Sequence, residues 1–218
     1  MEWDWTYVGE ILPDLARGVV VTVQATLMGS MVAMILGLLV AVARRSSNRL
    51  IAVPINVAND FILGTPLLVQ LYFLFFMLPD IGILLSPLTA GVIGLGVHYS
   101  AYTSEVYRAG IDNVSRGQWE AAKAVNLTLS ETWRHVILPQ AIPPMIPALA
   151  NYIVAMFKET PLLMAITVVE LMNAARSVAN ESYRYLEPMT LVGVFFLIVS
   201  VPAVMMLRYL ERRFTSNS

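Results

Sequence analysis

Lys158-Glu159-Thr160-Pro161 sets a cation, an anion, a hydroxyl and a helix-breaking imide side by side between two apolar runs. Ionisable groups inside apolar segments are costly and face a cavity or a partner. The chemistry open to such a quartet is recognition. A zwitterion's carboxylate and ammonium would each meet an opposite charge, and Thr160-Pro161 would hold an irregular, cavity-lining backbone. The competing reading is a structural ion pair, internal or across a dimer interface, that holds a helix break. His98 and Tyr102 lie four residues apart, with Thr103 beside them. They either hydrogen-bond a solute or make a satisfied helix–helix contact. Asn151, next to Tyr152, is either glue between helices or a pathway residue, and Gln70 carries the same two readings.

Bond-making chemistry finds no footing. There are no cysteines, so disulfides and thiol chemistry are excluded. Neither a Gly-x-Ser-x-Gly elbow nor a His or acidic cluster at metal spacing is present, and His135 stands alone among polar residues. The two lysines, Lys123 and Lys158, follow Ala122 and Phe157, so the Gly-Lys-[Ser/Thr] of a P-loop is missing. No cofactor or metal site is expected, and any ATP hydrolysis must come from a separate subunit. A net charge of −1 gives no reason to expect a nucleic-acid partner.

The elements that position these residues are membrane helices. The 218 residues are 57% hydrophobic and 13% charged, with a mean hydropathy of +0.68. Spanning ~30 Å of hydrocarbon takes roughly 17–25 helical residues. On that measure residues 18–43, 50–78, 88–107, 136–157 and 188–207 are five expected spans of an all-α integral membrane protein, one transmembrane domain over 1–218. Residues 1–17, with Trp3, Trp5 and Tyr7 among acids, suit an interfacial lead-in helix. That acidic start lacks the basic flank of a signal peptide. Leu50–Asp60 suits first turns lying in the interface before Thr65-Pro66. Gly91, Gly94 and Gly96 in the third span would let helices approach closely. A short apolar piece over 162–169 follows the break, and 170–187 is expected to be a polar loop.

Five spans put the termini on opposite sides, and basic residues choose the sides. On one side fall Arg44, Arg45, Arg49, Arg108, Arg116, Lys123, Arg134, Arg208, Arg212 and Arg213. The other receives Arg17, Arg176 and Arg184. The expected topology is N-terminus outside, with residues 116–135 and the C-terminus cytoplasmic. Glu105, near the cytoplasmic end, should pair with Arg108 or with a residue of 116–135.

Residues 116–139 are the long polar interruption of the chain. Ser115/Gln118 and Thr128/Glu131 have capping-box spacing, and Asn126 can take the left-handed conformation that ends a helix. Two short helices are therefore expected, with Trp119 and Trp133 either gripping a partner or anchoring the loop at the membrane interface.

Glu120-Ala121-Ala122, then Asn126, then Val136-x-Leu138-Pro139 resembles the EAA motif of ABC importer permeases in every spacing. Asn126 stands for the usual Gly and Val136 for the usual Ile. Thr65-Pro66-Leu67-Leu68-Val69-Gln70-Leu71, Gln118-Trp119-Glu120 and Lys158-Glu159-Thr160-Pro161-Leu162 resemble its polar amino-acid subfamily over residues 15–210. The usual Arg-Gly before Thr65 reads Leu63-Gly64 here. The resemblance implies a multi-pass subunit of the bacterial plasma (inner) membrane. It implies a coupling loop docked on a cytoplasmic ABC ATPase dimer, which binds ATP and Mg, through Gln118, Trp119, Glu120, Ala121, Ala122, Lys123 and Asn126. A second permease, identical or homologous, and an extracytoplasmic solute-binding protein would complete the importer. The implied cargo is a polar amino acid or similar zwitterion, with opines and compatible solutes such as ectoine as alternatives. Its candidate path residues are His98, Tyr102, Asn151, Lys158, Glu159 and Thr160. An ATP-independent carrier or channel is the remote alternative, against which the absence of duplicated halves argues.

Overall fold

The structure is a computed structural model that describes residues 2–215, so residue 1 and residues 216–218 of the expected domain lie outside it. Among the described residues the regular structure is entirely helical. Helix α1 (Trp5–Arg44) starts at Asp4, whose side chain accepts from the backbone of Thr6 and Tyr7. It runs for 40 residues through Pro13, or ~60 Å at 1.5 Å per residue. The lead-in and the first span are therefore one helix, with no break near residue 17.

Small residues decide how α1 packs. Thr22, Ala25, Thr26, Gly29, Ser30, Ala33, Gly37 and Ala41 form its buried stripe. They meet α4 (Pro87–Asp112) in the most extensive helix pair of the chain. A Cβ at Gly37 would lie 2.0 Å from Thr103 Oγ1, and one at Gly96 would lie 2.4 Å from Val32. At this distance Thr103 Oγ1 donates to the Ala33 carbonyl of α1 (2.9 Å). Between helices in hydrocarbon, close backbone approach and such polar contacts replace the hydrophobic drive.

The expected second span is broken. Helix α2 (Arg49–Leu63) and α3 (Leu67–Tyr72) meet at 107° across Gly64-Thr65-Pro66. Pro66 supplies no N–H and disfavours helix at Thr65. Helix α3 continues as a π-turn, Phe73–Met77, and a 3-10 turn, Leu78–Ile81. The three glycines expected to admit neighbours do so, against Leu163, Leu71 and Val32.

After α4 come α5 (Arg116–Ala124), the short α6 (Leu129–Glu131), a π-turn Thr132–Ile137 and α7 (Leu138–Glu159). The second helix of the central loop is thus the start of a 38-residue helical unit, Leu129–Ile166. It is not a separate short helix, because the π-turn absorbs the irregularity without ending the rod. A 3-10 turn, Thr160–Ile166, leads to left-handed Thr167 (φ 66). The expected polar loop over 170–187 instead holds helix α8 (Leu171–Ser182), capped by Glu170. The last helix, α9, runs Leu186–Thr215.

Among the described residues three helical units are long and apolar enough to cross a membrane, and four if the bent pair counts as one span. Helix α4, at 26 residues, is long enough but more polar. The two ends of the bundle are tied differently. At one end Arg44 donates to Asn56 (2.6 Å) and Glu105 (2.5 Å), and Arg45 pairs with Asp112. Glu105 also bonds Arg108, so its second partner is Arg44 and not the 116–135 loop. At the other end Arg184 joins Asp4 and Glu187.

Candidate functional site

Two groups of residues are assembled, one in the loop and one inside the bundle. In the loop, Ser115 makes no side-chain cap bond, so the first expected capping box does not form. Gln118 instead accepts from Gln140 of α7 (3.2 Å). The second box forms in full between Thr128 and Glu131. The Thr128 hydroxyl, and then its backbone N–H, hold the Glu131 carboxyl below the ordinary glutamate value.

Asn126 has φ 58. Its N–H bonds the Lys123 carbonyl (3.0 Å), and the Leu127 N–H bonds that of Ala122 (3.1 Å). This 5→2 and 6→1 pair is a Schellman ending, which needs a left-handed residue where Asn126 stands. Trp119 and Trp133 pack edge to face at 5.3 Å over Ile111, Val114, Ile137, Ala141 and Met145. The tryptophans and buried Ala122 therefore seat α5 on the bundle. Gln118, Glu120, Ala121, Lys123 and Asn126 face outward. Beside them stand Val125, 69% exposed, and Leu129, 72% exposed. Neither was among the expected docking residues, although two aliphatic side chains flanking a turn in a polar stretch were a usable signal.

Inside the bundle, His98 of α4 stacks with Tyr99 (5.5 Å) and Tyr102 (5.2 Å). Tyr152 of α7 lies 6.0 Å from Tyr99 and 5.5 Å from Tyr102. The Tyr99 hydroxyl donates to Glu159 Oε2 (2.9 Å). No cation pairs with Glu159 among the described residues. A carboxylate against aromatic faces suits an ammonium or guanidinium, which gains from both. Tyr99 was missed because it follows His98 directly in sequence, yet α4 turns it toward α7.

The other expected path residues lie elsewhere. Lys158 and Glu159 form no ion pair, because successive helical residues point ~100° apart. Exposed Lys158 lines an outer groove of about 680 Å³ with Phe196, Ser200 and Arg208 of α9. Asn151 is exposed and joins no hydrogen bond to the cluster. Thr160 is buried, with its hydroxyl on the Phe157 carbonyl (2.8 Å), so it caps α7. Glu159 alone of the quartet joins the aromatic group.

The model of the family described as "Binding-protein-dependent transport system inner membrane component" matches residues 33–216. A "Probable amino-acid ABC transporter permease protein" of Sinorhizobium fredii is 45% identical, over 92% of this chain and 87% of its own. The glutamine transport system permease protein GlnP of Escherichia coli is 33% identical, over 98% of each chain. The L-cystine permease TcyB of Bacillus subtilis is 37% identical, over 78% of this chain and 73% of its own. The solved structure of an amino acid ABC transporter with histidines aligns with a TM-score of 0.91 and 32% identity. That alignment covers 98% of this chain and 100% of the other. An inward-facing MetNI methionine transporter aligns at 0.72 with 17% identity, over 92% and 98%, a likeness of fold.

Proposed function

This chain belongs to the family of binding-protein-dependent transport system inner membrane components, and on that premise we propose that it is the permease subunit of an ATP-driven importer for an amino acid. It is not an enzyme in its own right, as its relatives are permease subunits. The amino-acid permeases among those relatives favour an amino acid over ectoine or another compatible solute.

One observation carries the reading. The EAA-like residues form a short helix with a closed Schellman turn, seated by Ala122 and the tryptophans and presenting Gln118, Glu120, Ala121 and Lys123 outward. In the proposed topology five spans place the N-terminus outside the plasma (inner) membrane and this loop, with the C-terminus, in the cytoplasm. Gln118, Glu120, Ala121, Lys123 and Asn126 dock on an ABC ATPase dimer, which binds ATP and Mg. Trp119 and Ala122 hold the docking helix in place. Closure of the ATPases pushes the loop, and Leu129–Ile166 passes that push to the solute path as one rod.

The proposed path runs past His98, Tyr99, Tyr102, Tyr152 and Glu159. Lys158 and Asn151, turned outward, face a second permease rather than this chain's cluster. An extracytoplasmic binding protein delivers the solute at the Arg184 end. Replacing Ala121 by Arg tests the docking. ATPase assembly and uptake should be lost while membrane insertion is kept. Unchanged assembly and uptake would remove the proposed role of the loop.

A further inference from the structure

The structure assigns Gln70 a positioning role: its amide ties the break between α2 and α3 to the His98 imidazole and fixes which ring nitrogen carries the proton. Gln70 stands in α3, four residues after Pro66. The break leaves carbonyls of the last α2 turn without helical partners. Gln70 Nε2 lies 3.0 Å from the Ile62 carbonyl, 3.2 Å from the Thr65 carbonyl and 2.7 Å from Thr65 Oγ1. The single Thr65 hydroxyl proton is directed at the carbonyls of Phe61 (2.9 Å) and Ile62 (3.3 Å). Toward Gln70 that hydroxyl is therefore an acceptor.

Three acceptors on one side determine the amide's orientation. Turning it over would set Oε1 against three oxygens and take from the Thr65 carbonyl the side-chain donor that reaches it. With Nε2 facing the break, Oε1 faces the cluster, 3.3 Å from His98 Nδ1. An amide oxygen donates nothing, so Nδ1 must carry the proton. In the neutral ring Nε2 is then the acceptor, and it has no protein partner among the described residues. The imidazole thus keeps a lone pair free within the tyrosine group that also holds Glu159.

The tautomer follows from this geometry alone. The use of Nε2 as an acceptor for a solute ammonium or amide N–H rests on the path reading above. Together the two place a helix break and a solute-facing nitrogen on one side chain. Any movement of the bend shifts His98, and a solute held on His98 pulls on the bend.

The chain has two histidines, so nitrogen NMR can resolve each. The full chain, with 15N-labelled histidine in lipid nanodiscs at about pH 8, is above the ordinary histidine value of about 6.5. His135→Asn assigns the loop histidine. The proposal expects His98 as the Nδ1–H tautomer and loss of that tautomer in Gln70→Ala. Wild-type His98 protonated on Nε2, or a tautomer unchanged by Gln70→Ala, overturns it. The wild-type spectrum decides the question even if Gln70→Ala does not fold. A separate arm measures uptake of mixed radiolabelled amino acids by the assembled importer carrying His98→Phe. This variant keeps the ring stack and loses both nitrogens. At least a tenfold loss supports the use of Nε2. Undiminished uptake with an intact Nδ1–H tautomer would overturn only the solute contact, leaving Gln70's role in place.

Discussion

Val125 and Leu129 flank the Asn126 turn and give the most quantitative handle on the docking surface. Fully burying either side chain is worth about 1.5–3 kcal/mol. With 69% and 72% of their surfaces exposed in the free chain, docking would bury most of that amount. Replacing either by Ser should therefore weaken ATPase binding by ~1–2 kcal/mol, a factor of roughly 5–30. The double variant should lose ~2–4 kcal/mol, roughly 30–1,000-fold, if the two act independently. The loop itself should stay folded, because its tryptophan seat and Schellman bonds involve neither side chain. The assay is equilibrium binding of the ATPase to the permease assembly in nanodiscs, with Leu84→Ser as control. Leu84 is as exposed, at 82%, but precedes α4 at the opposite end, so its variant should bind normally. A double variant that binds as tightly as wild type would refute the reasoning.

Other expectations follow from single contacts. Glu159→Gln should abolish uptake while leaving assembly intact. Tyr99→Phe, which removes one hydrogen bond to a charged group worth about 1.5–3 kcal/mol, should lower uptake efficiency ~10–100-fold; radiolabelled uptake measures both. Gly37→Ala drives a methyl into Thr103 and should cost ~1–3 kcal/mol as an overpacked contact, visible in detergent melts. Gly9→Ala, inside α1 with open space around it, should instead stabilise by about 0.5–1 kcal/mol. Asn126→Val should loosen the coupling turn, because left-handed backbone costs roughly 1–2 kcal/mol without Asn or Gly, whereas Asn126→Gly should not. Amide exchange at Leu127 reports the difference. The depressed Glu131 carboxyl contributes stability that is present above the ordinary glutamate pKa and is lost as pH falls through its lower folded value. Acid titration of amide exchange at Glu131 should show that loss, and Glu131→Gln should weaken the dependence.

The helical class, three of the apolar spans and the Asn126 turn were legible because each rests on local signals. An apolar run, a capping pair or an Asn at a helix end acts within a few residues. The second capping box and the left-handed Asn126 formed as read. The failures came where tertiary partners decide. Ser115 has the right spacing, yet Gln118 is drawn to Gln140 on another helix. Thr65-Pro66 was expected inside one continuous span, but the chain turns there by 107°, with Gln70 donating to carbonyls beside the break. Lys158 and Glu159 looked like a pair because they adjoin in sequence. On a helix adjacency separates them, and Glu159 meets Tyr99 from 60 residues away. The loop over 170–187 hid α8, since its fully buried side chains are Leu171 and the small Ala174, Ala175 and Ala179, set close against α1 at Gly18.

The most direct test of the central claim is reconstitution into proteoliposomes of this chain with its partner ATPase, paired permease and binding protein. The account predicts amino-acid uptake that requires ATP on the ATPase side and the binding protein on the other, with no ATP turnover by this chain alone. Uptake that continues without the ATPase, or hydrolysis by the isolated chain, would contradict it.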